Sequence, residues 1–169
     1  MHILSEEIVN YCNTRLKISE IEDYSDAYNG LQVENQGEIK KIAAAVDASI
    51  ESIQKAIDVN ANMLFVHHGL FWGNPYPITD RIYSRYKLLL DHDIAVYSCH
   101  LPLDAHPEIG NNAVIAKLLN LKNLELVNVF SGKPKVVPYV TKNDSGASPE
   151  VPYKLPSLPS AKFTSNHIA

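Results

Sequence analysis

Two short apolar runs that both stop at imidazoles constrain this chain more than any other feature. Met63-Leu64-Phe65-Val66 runs into His67-His68-Gly69, and Ile94-Ala95-Val96-Tyr97 runs through Ser98-Cys99 to His100, with Asp104 shortly after. Each run has the length of a buried strand. If the two lie parallel in one sheet, both polar ends reach its carboxyl edge, where open α/β sheets place their ligands. His67, His68, His100 and Asp104 are then candidates for one metal site.

The segments around these runs fit that arrangement. Residues 4–17 read as a helix, with Ser5, Glu6 and Glu7 at its start. Asn29-Gly30 marks a turn before a short strand near Leu31–Val33. Lys40–Asp47 reads as a buried strand, followed by a helix that Ser49 caps and that carries Ile50, Ile53 and Ile57 at helical spacing. Thr79 or Asp80 starts a helix with Ile82, Tyr86, Leu89 and Leu90 on one face. Gly110-Asn111-Asn112 opens another, with Val114, Leu118 and Leu121 aligned, and Leu124–Phe130 reads as a strand. Strands alternating with helices of this length predict an α/β fold: a mostly parallel sheet with right-handed crossovers and flanking helices.

Composition divides the chain at Ser131. Residues 131–169 hold six of the ten prolines, and five lysines against Asp144 and Glu150; this formal +3 leaves −7 for residues 1–130 within a total of −4. Only Val136-Val137 and Tyr139-Val140 suggest a strand there, so 1–130 is read as an α/β metal-binding domain and 131–169 as an irregular Pro/Lys-rich tail, poorly ordered. The overall charge offers no field to attract nucleic acid. No apolar run approaches a membrane span, and the first residues lack the regions of a signal peptide. Cys12 and Cys99 make no disulfide framework, which fits a reducing, cytoplasmic setting. No Walker or dinucleotide glycine motif is present.

Neutral imidazoles with a carboxylate suit zinc, iron, manganese and similar divalent ions. Adjacent strand residues point to opposite faces, so His67 and His68 share a cleft only if the strand ends there, where Gly69 relaxes the backbone. Asp104 could bridge two ions through its two oxygens. Pro102 argues against a helical pairing of His100 with Asp104, so the two are expected to converge from a loop. On the residues alone, a second reading stays open: core or surface histidines with unrelated backbone bonds. Asp47 reads best as a cap before the helix, and Phe71, Trp72 and Tyr76 as packing, although they could wall a pocket. Cys99 beside His100 is a weak nucleophile candidate, and Gly110-Asn111-Asn112 reads as a plain cap. His2, His92, His106 and His167 have no partner pattern and are expected at the surface.

Taken together, Asn29-Gly30-Leu31-Gln32-Val33, Ala45-Val46-Asp47, Val66-His67-His68-Gly69-Leu70 and Ser98-Cys99-His100-Leu101-Pro102-Leu103-Asp104 with Gly110-Asn111-Asn112 resemble the NIF-three-like family of dinuclear-metal proteins, many of them named GTP cyclohydrolase I type 2. The resemblance covers residues 1 to about 130 in the right order. It implies an α/β sheet flanked by helices, a hexameric ring or other homo-oligomer, and two divalent metals. It places His67 and His68 on two ligand histidines, Asp104 on the bridging aspartate and His100 beside the metals, where it would move a proton. The implied reaction is hydrolytic opening of a purine ring in a nucleotide-like substrate. The family pattern ends in a histidine and a glutamate near the C-terminus that complete the site. No such pair follows Ser131 here, so one metal rather than two is a second expectation. A non-catalytic metal-binding or partner-binding protein is the alternative function.

Overall fold

The computed structural model describes residues 3–73, 75–122, 124–128 and 136–141. In chain order its elements are β1 (Ile3–Leu4), α1 (Ser5–Arg15), β2 (Gly30–Val33), β3 (Glu38–Ile39), β4 (Ile42–Asp47), α2 (Ile50–Asp58) and β5 (Met63–His68). There follow α3 (Asp80–Asp91), β6 (Ala95–Ser98), α4 (Leu101–Asp104), α5 (Asn111–Leu118), β7 (Leu124–Asn128) and β8 (Val136–Thr141). The central sheet has the order β2-β6-β5-β4. β4, β5 and β6 are parallel, joined by the crossover helices α2 and α3, as strand–helix alternation predicts. β2 runs antiparallel to β6, with Leu31 opposite Tyr97, so the sheet is mixed.

Alternation along the strands divides the core in two. Leu64, Val66 and Val96 face Ile53 and Ala56 of α2 and Leu89 of α3. Met63, Ala95, Tyr97 and Cys99 face the other way, where Leu16 and the partly buried Ile8, Val9 and Cys12 pack against them. The sheet is therefore covered by helices on both sides, and β2 contributes to each layer through Val33 and Leu31. α2 starts where its sequence indicates: the Ser49 hydroxyl oxygen accepts from the Ser52 amide, satisfying one of the free N–H groups of the first turn.

Three expectations need correction. β4 forms, but as an edge strand rather than a buried one: Ile42 is 50% and Val46 62% exposed, because no helix covers that face at the sheet margin. In α5 the buried residues are Ala113 and Ala116, while Val114 and Leu118 face outward. Small residues let this helix approach closely, which hydrophobic spacing alone does not reveal. His106 is buried at 6% exposure, its Nδ1 accepting from the amides of Glu108 and Ile109. His92 is exposed; His2 and His167 lie outside the described residues.

β8 forms over the Val136–Val140 segment and pairs antiparallel with β7. Residues 142–169, most of the tail, lie outside the described residues. Among the described residues no helix is long and apolar enough to cross a membrane.

Candidate metal centre

The strand ends bring the candidate side chains together. β5 closes with His67 and His68, and β6 beside it closes with Ser98, one residue before Cys99 and His100. Because β5 ends at this point, neighbouring imidazoles that would diverge along a regular strand lie with ring centroids 4.7 Å apart. His100 sits 4.9 Å from His67 and 5.6 Å from His68 by the same measure. One ring nitrogen from each of the three lies within 4.8 Å of the others. Asp104 reaches the group through Oδ2, 3.5 Å from His67 Nε2. The residues between His100 and Asp104 form the short helix α4 rather than the expected loop, and the Asp104 amide donates to the His100 carbonyl. Pro102 is compatible with this because it lies in the first turn, where its missing N–H has no helical partner to lose.

Each imidazole is held at Nδ1 by an acceptor. His67 Nδ1 lies 3.0 Å from the Cys99 carbonyl, His68 Nδ1 2.7 Å from Asp47 Oδ1, and His100 Nδ1 2.9 Å from Asp23 Oδ1. A carbonyl and ionised carboxylates accept only, so Nδ1 is the donor in all three rings, and in the neutral imidazole Nε2 is then the nitrogen that bears the lone pair. This is how metal-binding histidines are oriented: the second nitrogen donates to a carboxylate or backbone carbonyl. Three such rings beside Asp104 therefore form a donor set that could hold a divalent ion.

The environment favours the neutral, metal-binding form of His67 and the ionised form of Asp23. Burial lowers the His67 pKa, and repulsion from His100 and His68 adds to it, against the raising pull of Asp104 and the Cys99 carbonyl. Burial of Asp23 opposes its ionisation, yet hydrogen bonds from Asn29, His100 and the amides of Tyr24 and Leu101 outweigh it and hold the carboxyl below its usual range. Burial pushes the Cys99 thiol up to about 12, so it is no nucleophile at neutral pH.

Asp23, Asn29, Asp47 and Asn111 were not among the site residues expected. Asp23 is far from His100 in sequence and carries no local pattern. Asn29 is more than a turn residue: its Oδ1 accepts from the His100 amide at 2.7 Å while its Nδ2 donates to Asp23. Asp47 did carry a signal, a strand end whose register partner is His68. It supports that histidine instead of capping α2. Asn111 Nδ2 donates to Asp104 Oδ1 at 2.7 Å, and Asn112 Nδ2 to the Asp104 carbonyl, so the Gly-Asn-Asn segment positions the aspartate. Gly69 also has a different role from the one expected. Its φ is not positive; a Cβ there would overlap the Gln32 side chain, whose Oε1 accepts from the Leu70 amide. Trp72 packs edge-on to His100 with centroids 4.9 Å apart, and its Nε1 donates to the Gly69 carbonyl.

Comparison with known proteins agrees with this architecture. The model of the family described as Duf34/NIF3 (NGG1p interacting factor 3) matches residues 3–159. A protein of Pyrococcus horikoshii named "GTP cyclohydrolase 1 type 2 homolog" is 48% identical over 127 residues, which are 75% of this chain and 50% of that protein. A protein of the same name from Deinococcus radiodurans is 44% identical over 127 residues, 75% of this chain and 48% of the relative. Among solved structures, TTHA1606 from Thermus thermophilus superposes with a TM-score of 0.71 at 40% identity, over 75% of this chain and 52% of that one. HcgD from Methanocaldococcus jannaschii gives 0.65 at 34% identity, over 75% and 50%. The chain spans about half the length of the curated relatives it matches.

Proposed function

The chain belongs to the Duf34/NIF3 family, and on that premise we propose that it binds divalent metal through His67, His68 and Asp104 and hydrolyses a ring in a nucleotide-like substrate. The observation that carries this reading is the set of three imidazoles, each tied at Nδ1, gathered in one cluster with the Asp104 carboxylate beside His67 Nε2. Zinc, iron or manganese suits nitrogen and carboxylate donors of this kind, and Asp104 has oxygens for two ions. A bound ion supplies Lewis acidity. The chain's own residues do the rest. Asp47 and the Cys99 carbonyl fix the rings of His68 and His67, and Asn111 fixes Asp104. His100, with its Nδ1 proton held by Asp23, accepts a proton at Nε2 and returns it to the leaving atom, the pairing of base and orienting carboxylate used in general acid–base catalysis. A homo-oligomer is part of the same proposal, and two free cysteines suit a reducing cytoplasm.

The same donor cluster is what a metal-binding protein without turnover would need, and that is the second reading. Metal analysis of the purified protein with a nucleotide-hydrolysis screen separates them. Stoichiometric metal with turnover supports the hydrolase, and metal without turnover supports the binder. His67→Ala and Asp104→Ala should lose the metal. His100→Ala should keep it and lose turnover; loss of metal in that variant would make His100 a ligand.

A further inference from the structure

Next to the histidine cluster lies a cavity of about 300 Å³ bounded by Phe71, Trp72, Pro75, Tyr76, Ile78 and Tyr86. We infer that it is the bay in which a flat, uncharged heteroaromatic ring of the substrate stacks, with Trp72 as the wall it shares with the candidate metal centre. The inference rests on the hydrolase reading for the word substrate, but not for the binding itself.

The walls select for such a ring. Four of those six residues are aromatic, and none of the described residues lining the cavity is charged, so a phosphate finds no cation among them. The volume is at the small end of the range of small-molecule sites, about 300–1,000 Å³, enough for one ring system rather than a long chain. The polar groups are already committed. The Tyr76 hydroxyl donates to the Leu70 carbonyl at 2.5 Å, and Tyr86 hydrogen-bonds to Tyr76; burial and that bond raise the Tyr86 pKa, keeping it neutral. What remains for a ligand is mainly π surface.

The bay is also held in shape. Phe71 has Tyr28 against it edge-on, centroids 6.2 Å apart, and Tyr86 tilted beside it at 6.3 Å. Trp72 is pinned by its bond to the Gly69 carbonyl, by a bridge to Ala27 and by the Gln32 clamp on Leu70. Its indole meets His100 edge-on at 4.9 Å and His68 at 6.1 Å. A ring in the bay is thus separated from the imidazole cluster by one side chain, and a substituent passing the indole edge would reach the candidate ligands.

Trp72 is the single tryptophan of the sequence, so its fluorescence reports on this bay without metal or turnover. The full chain would be titrated with guanosine, with ribose 5-phosphate and with cyclohexanol. Saturable quenching by guanosine alone is the expected result. Phe71→Ala and Tyr76→Ala, both at partly exposed positions, should each weaken it at least about fivefold, in line with loss of a base–aromatic stack. Val46→Ala, at an exposed position outside the bay, should leave it intact, and circular dichroism checks that each variant is folded. Equal binding of cyclohexanol would show a bay that takes apolar volume regardless of aromaticity, and would overturn the inference. So would guanosine quenching unchanged in both alanine variants, or no quenching at all. Quenching that persists in His67→Ala, in a protein that hydrolyses no nucleotide, would sink the hydrolase reading and leave the bay standing.

Discussion

At the scale of single residues, the candidate centre depends on acceptors behind the rings as much as on the rings. Asp23 is the clearest case, since its buried carboxylate receives His100, Asn29 and two backbone amides. Asp23→Asn keeps the shape but loses the charge and turns one acceptor into a donor. We expect about 1–3 kcal/mol lower stability from hydrogen bonds left unmade. Any activity should fall on the order of 10–100-fold, the usual cost of removing a group that orients a site histidine. Denaturant unfolding and turnover assays would check this, and unchanged values in both would remove Asp23 from the site. His67 sets the pH response. Its folded pKa lies below the ordinary 6.5, so the unfolded chain takes up that proton first as pH falls. The stability it contributes is present above about pH 6.5 and is lost as pH drops through the folded pKa. In chelator-treated protein, the melting temperature should therefore decline on acidification below that point, and His67→Ala should flatten the decline. The histidines were legible as neighbours because they stand at or just past the ends of β5 and β6, and Asp104 because it lies one helical turn beyond His100. Asp23 and Asn29 were not, because only the folded chain brings them to His100.

At the scale of elements, period and length identified the strands, but neighbours decided their burial. β5 and β6 are central, and their alternating side chains feed both layers of the core. β4 has equally apolar residues and stands at an edge; nothing within Lys40–Asp47 distinguishes the two situations. The same limit explains α5, where Ala113 and Ala116 turned inward although Val114 and Leu118 are the larger hydrophobes. Packing against a close neighbour favoured small residues over greater apolar area. α2 is the opposite case, with Ile53 fully buried where helical spacing indicated. Ile53→Ala should destabilise by about 2–5 kcal/mol, because the surrounding strands cannot collapse into the space. Val46→Ala, on the open face of β4, should cost well under that. Urea unfolding of both variants measures the difference, and equal losses would show that β4 is covered in solution.

At the scale of the whole molecule, the question is how much of the 169-residue chain the fold uses. Both buried clusters are drawn from residues 16–99 and their immediate surroundings, and the candidate centre from residues 23–112. The relatives match 127 residues of the chain, about half of their own length. Beyond Thr141 the sequence holds Pro149, Pro152, Pro156 and Pro159 among serines and lysines, with little apolar spacing. Among the described residues, both buried clusters and the candidate ligands lie before Thr141. A chain ended after Thr141, with β8 retained, should therefore keep its melting temperature within about 2 °C, a shift of no more than about 1 kcal/mol for a domain of this size. It should also keep its metal stoichiometry. The alternative is that His167 contributes a ligand, from its own chain or a neighbouring one. Loss of metal in both the shortened chain and His167→Ala would establish that, and would make the C-terminal segment part of the centre.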